Sequence, residues 1–388
     1  MKKVNIEVVI GSNYGDEGKG LASAMIAHGS KTDKCLTVLY NGGAQRGHTV
    51  ESKDTEGFRH VCHSIGAGTA INKSDTFYNK HFMINPHIFL EEKAILDYHN
   101  RVWVDPRCQI TTPYDIMINR ELEYFRSKNR HGSCGLGIFE TFNRVNHKYI
   151  FTYSNIRDFD STKNLVLTLR DNYFIDRINE LKEEKNMSFS NGFYSSFYSE
   201  DLLDNFINTL ISFKHNTYIA YLSQIVEYYD TIIYEGAQGL MLDMDNMEDW
   251  PHLTPSKTGS SWVIEELKEI KDIVEMDINT YYITRTYLTR HGAGSLEREA
   301  DPKKMLKEYI IDKTNMPNPW QETLRYARMD SKRTLNFIQK DQSLWNELKC
   351  NFHLVVTHWN ELPDISGILL SEKSFKDICV LSSPYYDI

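Results

Sequence analysis

Asp16, Glu17 and Lys19 sit inside a glycine-rich stretch, GSNYGDEGKG, from Gly11 to Gly20. A turn of this kind ahead of a helix offers backbone N–H groups to an anion, and Lys19 adds a point charge. Two carboxylates in the same turn oppose a phosphate, unless a divalent cation lies between them or Asp16 has to take up a proton. The plainer alternative makes Asp16 an N-cap and Glu17 a first-turn acid that complements the helix dipole. A second turn, NGGAQRGHT from Asn41 to Thr49, also follows an apolar run and carries His48, a residue able to give up a proton near neutral pH. Taken alone, His48 reads more readily as a loop hydrogen-bonder. A third turn, YEGAQG from Tyr234 to Gly239, places Gln238 after another apolar run.

The first turn is neither of two familiar phosphate loops. A Walker A loop needs glycine five residues before Gly18 and Ser or Thr after the lysine, and Asn13 and Gly20 stand there instead. A G-x-G-x-x-G dinucleotide turn fails because Ser12 and Asn13 break its first spacing.

The elements that must hold these turns follow from periodicity. Short apolar runs alternating with glycine turns and helical stretches predict an α/β protein, with a mostly parallel central sheet flanked by helices. VNIEVVIG and KCLTVLY read as strands, HIFLEEKAILDYHN as a helix, and strand-like runs return at DTIIYEGAQG, NTYYITRTYLTRHGAG, FHLVVTHWNE and ICVLSSP. Loops at the carboxyl ends of such strands are the expected place for a site. From about 110 to 229, charged and aromatic residues at helical spacing (INRELEYFRSKNR, FIDRINELKEEKN) predict a helical insertion, with NMSFSNGFYSSFYSED as a mobile loop between helices. No repeat or long linker divides the chain, so residues 1–388 read as a single domain.

Bulk properties narrow the class. The chain is 41% hydrophobic with no apolar run long enough to span a bilayer, and MKKVNIEVVIG alternates like a strand rather than a signal peptide. A net charge of −9 speaks against nucleic acid as a partner. Six scattered cysteines without a CxxC pair argue against a zinc site or disulfide framework and fit a reducing cytoplasm.

Together the three turns resemble the adenylosuccinate synthetase family, which carries a GDEGKG loop, a GH-T loop and an [FY]EGAQG loop in this order. HSIGAGTAINKS, MINPHIFLEE, HGSCGLGI, WPHLT and TRHGAG extend the resemblance over nearly the whole chain. It implies a P-loop-NTPase-like ligase fold with a helical insertion. The implied activity joins aspartate to C6 of a 6-oxopurine nucleoside monophosphate (IMP), driven by a nucleoside triphosphate. Asp16 would take the N1 proton of the purine, the resulting O6 oxyanion would attack the γ-phosphate, and His48 would donate a hydrogen bond or proton to the charge in transfer. Magnesium would lie on the Asp16 carboxylate and the Gly47 carbonyl. The resemblance assigns phosphate or triphosphate contacts to Gly15, Asp16, Glu17, Gly18, Lys19, Gly20, Gly47, His48, Thr49 and Asn360. The monophosphate contacts fall on Asp16, Lys19, Gln45, Arg46, Gly47, His48, Ser133, Cys134, Gln238 and Thr254, with Arg144 lent by the partner subunit of a homodimer.

Three departures qualify it. The family's arginine-rich amino-acid loop is replaced by NPWQETLRYARMD, leaving Arg325 and Arg328 for the carboxylates of aspartate. The guanine-reading TKLD motif becomes THWNEL, with Asn360 at the Asp position, and the final contact near a GP turn becomes SSPYYDI. Arg46 stands where the family usually has alanine. These changes resemble the phage branch that acts on dGMP and can use ATP, although that branch loses the catalytic Asp kept here as Asp16. A non-catalytic purine sensor is the alternative outside enzymes. Retention of both Asp16 and His48 speaks against it.

Overall fold

The computed structural model describes every residue except 33, 53–57, 97–99, 128–129, 308–314, 316–322, 364–366 and 382–388. SSPYYDI and NPWQE therefore lie outside the described residues.

Strands β1 (Lys2–Gly11), β2 (Cys35–Leu39), β5 (Asp75–Tyr78), β6 (Val102–Val104), β7 (Tyr218–Ile219), β8 (Thr231–Gly239), β9 (Val274–Arg285), β12 (Cys350–Thr357) and β13 (Asp377–Val380) form one sheet. Its order is β13-β12-β9-β1-β8-β2-β5-β6-β7, and every pairing in it is parallel. Two hairpins complete the strands: β3 (His48–Ser52) with β4 (Phe58–Cys62), and β10 (Tyr287–Arg290) with β11 (Arg325–Arg328).

The inner strands are apolar without alternation, as a sheet covered on both faces requires. Val4, Ile6, Val8 and Ile10 of β1 point to one face, where Val263, Leu267 and Ile270 of the helix Ser261–Ile270 and Ile338 of the helix Ser331–Gln342 pack on them. Each fully buried aliphatic side chain of this kind contributes about 1.5–3 kcal/mol. Val9 faces the other side with Cys35, Ile233 and Ile283, under Ala22 and Ala27 of the helix Lys19–Gly29. Small residues on that helix let it lie close to the strands whose ends form the site.

Helical spacing between 110 and 229 is matched by the helices Pro113–Arg126, Ile138–Asn146, Phe159–Leu169, Ile175–Lys185 and Glu200–His215. Thr112 caps the first of them in a reciprocal capping box with Asp115. The polar stretch expected to be a mobile loop is instead anchored. Its helix Phe193–Phe197 buries both phenylalanines, and Met187 is buried with them in a core cluster that the insertion shares with β2, β5 and β6. The aromatic residues outweighed the surrounding serines and asparagines.

From β1 the chain passes to β2 on one side of the sheet, while from its neighbour β9 it passes to β12 on the other. Such a switch point opens a crevice beyond the strand ends, and all three glycine turns border it.

Candidate active site

The first turn runs from the end of β1 to Gly18, which takes a left-handed conformation and caps the helix Lys19–Gly29 without any side-chain cap. Neither acid is a helix cap or a first-turn residue, so the plainer reading of Asp16 and Glu17 fails. Glu17 is turned inward and orders the loop. Its Oε1 accepts from the backbone N–H groups of Asn13 and Gly15, each at 3.0 Å, and its Oε2 accepts from Lys19 Nζ at 2.9 Å. Both charged side chains are almost fully buried. Removing one partner of such a pair costs about 3–5 kcal/mol. A Cβ at residue 11 would lie 2.6 Å from the Gln238 backbone carbonyl and 2.5 Å from Glu17 Oε2, so a side chain there would crowd the third turn and the pair.

Neighbouring strand ends brace the turn. Thr357 Oγ1 donates to the Glu17 carbonyl at 2.9 Å, Asn13 Nδ2 donates to Thr284 Oγ1 at 2.9 Å, and Arg285 Nε donates to the Asp16 carbonyl. Asp16 itself has a positive φ of 59°, sparsely populated for a residue with a side chain. Its Oδ2 lies 3.2 Å from His291 Nε2. Burial raises the Asp16 carboxyl, but the hydrogen bond and charge of His291, with Arg285 and Lys19 behind them, outweigh it and bring the group down to about 2. Asp16 is therefore ionised.

His48 opens β3 and lies against the helix start. A Cβ at residue 20 would meet His48 Cβ at 2.5 Å, which accounts for Gly20 where a Walker loop has Ser or Thr. His48 Nδ1 is 2.7 Å from Glu235 Oε1, a residue of the third turn. Burial, then the charges of Arg46 and Lys19, hold the imidazole well below its ordinary value. In this state the ring is neutral. It offers a hydrogen bond rather than the proton that its residue type suggests.

These groups line one cleft of about 1060 Å³. Of the sequence-predicted residues it brings together Gly15, Asp16, Gly18, Lys19, Gly20, Gln45, Arg46, Gly47, His48, Thr49, Ser133, Cys134, Gln238 and Thr254. Both carboxamide atoms of Gln45 and Oε1 of Gln238 are buried there without a hydrogen-bond partner, and Gln238 has a positive φ of 63°. Buried polar atoms left open on a cleft wall are what a polar ligand would satisfy. Cys134 is a thiol, pushed up to about 11 by burial.

Five predicted residues do not line the cleft, and each has a geometric reason or a nearer substitute. Glu17 is inside the loop. Arg144 is fully buried, donating to Asp115, to the Ile110 carbonyl at 2.7 Å and to the Tyr149 carbonyl at 2.8 Å, so it cannot reach across to a second subunit. Arg325 is spent on Glu299 and on the carbonyls of Gly292 and Gly294. Arg328 is exposed on the same strand. Asn360 stays off the wall, while His358 and Glu361 beside it line it. His358 has a positive φ of 58°, and that turn shifts which side chains enter. Arg46 lines the cleft, but its Nη2 is engaged by Glu235 and His48 and not open to a phosphate.

Sequence reasoning missed Arg285, Tyr287, Arg290, His291, His358 and Glu361, all on the wall. Four of them surround the first turn from β9, β10 and the turn after β10. Their signal was their place just past strand-like runs, which the glycine turns overshadowed.

Among the described residues no helix is long and apolar enough to cross a membrane, and no group of three or more His, Cys, Asp or Glu side chains is placed to hold a metal ion. The cysteines are free.

A profile of the adenylosuccinate synthetase family matches residues 8–315. Similar proteins include the adenylosuccinate synthetase of Buchnera aphidicola subsp. Baizongia pistaciae, 26% identical over 309 residues, and that of Lactobacillus acidophilus, 25% identical over 305 residues. The first match covers 76% of this chain and 65% of the relative, the second 75% and 64%. The chain thus spans under two thirds of the relatives it matches. Among solved structures, a fully ligated adenylosuccinate synthetase from Plasmodium falciparum superposes with TM-score 0.69 at 18% identity, over 91% of this chain and 76% of that one. A cyanophage S-2L succinoaminodeoxyadenylate synthetase, bound to dGMP and dATP, superposes with TM-score 0.65 at 12% identity, over 98% and 93%. These two likenesses are of fold.

Proposed function

This chain belongs to the adenylosuccinate synthetase family, and on that premise we propose that it is a purine-nucleotide ligase forming a C–N bond at C6 of a 6-oxopurine nucleoside monophosphate. IMP is the proposed acceptor, L-aspartate the amino donor, and a nucleoside triphosphate the driving substrate, spent through a 6-phosphoryl intermediate. The observation that carries the reading is the convergence of ionised Asp16 and neutral His48 on one cleft wall beside Lys19. A nucleotide sensor needs the glycine turns but neither of those groups. The cleft volume sits at the upper end for single-ligand pockets, which suits two nucleotides side by side.

In the proposed reaction Asp16 receives the N1 proton of the purine, O6 attacks the γ-phosphorus, and His48 hydrogen-bonds the charge that develops. The nucleoside diphosphate leaves, and the amine of aspartate then displaces the 6-phosphoryl group as phosphate. Lys19 and the helix start behind it hold phosphate oxygens. Gln45 and Gln238, with Ser133, Cys134 and Thr254, face the monophosphate. The donor set fits magnesium: oxygen atoms of one carboxylate and one backbone carbonyl, Asp16 and Gly47, with substrate phosphates completing it. Magnesium would neutralise the phosphates that Asp16 otherwise repels. Arg285 lines the cleft where Arg325 and Arg328 do not, so we place a carboxylate of the amino acid against it. Glu361 takes the Tyr287 hydroxyl on Oε2 and as a carboxylate only accepts hydrogen bonds, so we place the N1–H and N2–H edge of guanine in the triphosphate near it. Cytoplasmic location and a homodimer complete the proposal.

A second reading uses dGMP or GMP with ATP, and what favours it is the fold shared over 98% of this chain with a phage enzyme bound to dGMP and dATP. One experiment separates them. Purified protein with magnesium and aspartate is crossed over IMP, GMP and dGMP against ATP and GTP, with succinyl adducts read by mass spectrometry. An adduct from IMP with GTP supports the first reading, and adducts confined to dGMP or GMP support the second. No adduct from any pair refutes both.

A further inference from the structure

Arg46 leaves the second glycine turn two residues before His48 and runs inward, 3% exposed. Its Nη2 donates to Glu235 Oε1 and stands 2.7 Å from His48 Nδ1. His48 Nδ1 lies 2.7 Å from that same carboxylate oxygen, and Glu235 Oε2 accepts from the Ala67 N–H at 3.0 Å. Both oxygens of a fully buried carboxylate are thus fixed, one by the backbone and one by the guanidinium. In a neutral ring Nδ1 either accepts from Arg46 or donates to Glu235, and with the guanidinium donating to it the ring hydrogen sits on Nε2. Nε2 is on the opposite edge, and His48 lines the cleft. A ring held by a mobile partner can rock about its Cβ–Cγ bond. A planar, permanently charged guanidinium that is itself anchored on Glu235 removes that freedom where a flexible ammonium would not.

We infer that Arg46 is a positioning residue: anchored on Glu235, it donates to Nδ1 of His48 and so clamps the ring with Nε2–H presented to the phosphoryl group in transfer. What Nε2 then does rests on the proposed function, while the clamp itself does not. Nε and Nη1 of Arg46 are buried without a partner, so direct contact with a substrate phosphate is the rival role that the test must separate.

The test uses the full chain labelled with ¹⁵N in its histidines, the His48 ring signals being assigned by their loss in His48→Gln. Arg46→Ala removes the clamp. Arg46→Lys keeps a charge beside Glu235 and preserves the fold if the alanine variant loses it. In both, the His48 ring resonances of the free protein should shift or broaden. The kcat should fall by about tenfold or more while KM for the monophosphate stays within about threefold. Unchanged ring resonances in a folded variant would overturn the clamp, and so would a raised KM with kcat intact, which marks a phosphate ligand instead. Should the wild-type protein form no product from any nucleotide pair, the functional reading falls, and the resonance comparison still decides whether Arg46 holds the ring.

Discussion

His291 Nε2 stands 3.2 Å from Asp16 Oδ2 and 2.9 Å from Asn315 Oδ1. Both neighbours accept, so Nε2 carries the hydrogen and holds the carboxylate. That contact is the main force holding Asp16 down at about 2 against the effect of burial. A carboxyl whose value is depressed on folding contributes stability above its unfolded value near 4, and that contribution is lost as pH falls through 2. His291→Val should let the Asp16 carboxyl rise toward the ordinary range. A ¹³C-carboxyl titration of the free protein measures this. A signal still titrating at about 2 would show that Arg285 and Lys19 suffice without His291.

Asp16→Asn tests the base directly. The amide keeps the shape and still accepts from His291, so the monophosphate should bind with an affinity near wild type. Turnover should fall by about 10²–10⁴, the span that general acid–base groups contribute. Calorimetry and the product assay together read the outcome. Wild-type turnover by this variant would remove Asp16 from the chemistry.

Gly20→Ser restores the residue a Walker loop would have, and it should harm rather than help. The new Cβ would arrive 2.5 Å from His48 Cβ and 3.1 Å from its Cα. Neither atom is the end of a flexible chain, so β3 must shift. Overpacking of this sort costs about 1–3 kcal/mol. Thermal unfolding should show that loss, and kcat should drop because the imidazole moves. A variant with unchanged unfolding temperature and improved activity would mean that the helix start is looser than its packing suggests.

Local features of the site were legible in the sequence, and pairings across the fold were not. Gly18, Lys19, Gly20 and His48 announced themselves because each loop is set by a few adjacent residues, and their spacing survives in one dimension. Arg144 and Arg325 failed because the acids that neutralise them, Asp115 and Glu299, lie 29 and 26 residues away. Nothing short of the packed structure reveals that a guanidinium is already spent. Asn360 and Glu361 show a finer failure. They are neighbours in the chain, and the left-handed turn at His358 decides which of them faces the cleft. Sheet class came through intact, since apolar strands followed by glycine turns admit few alternatives. The serine-rich stretch before residue 200 misled because composition hid Phe193 and Phe197, whose burial orders it.

Glu266 offers a test of the core that leaves the site alone. It lies on the buried face of the helix Ser261–Ile270, beside Tyr234 and Asn79, and its Oε2 has no hydrogen-bond partner. Burial pushes its carboxyl up to about 8. Between the unfolded value near 4.5 and that point, the unfolded chain ionises while the folded chain stays protonated. The folded state then binds the extra proton, so this residue's contribution weakens as pH rises through the window. Glu266→Gln keeps the size and polarity without a charge to avoid. It should stabilise the protein on the order of 1–3 kcal/mol near pH 7.5, with the gain fading toward pH 4.5. Urea unfolding of both proteins across that range measures it. A gain independent of pH, or a loss at every pH, would mean that Glu266 is ionised in the fold and held by a partner that its surroundings do not reveal.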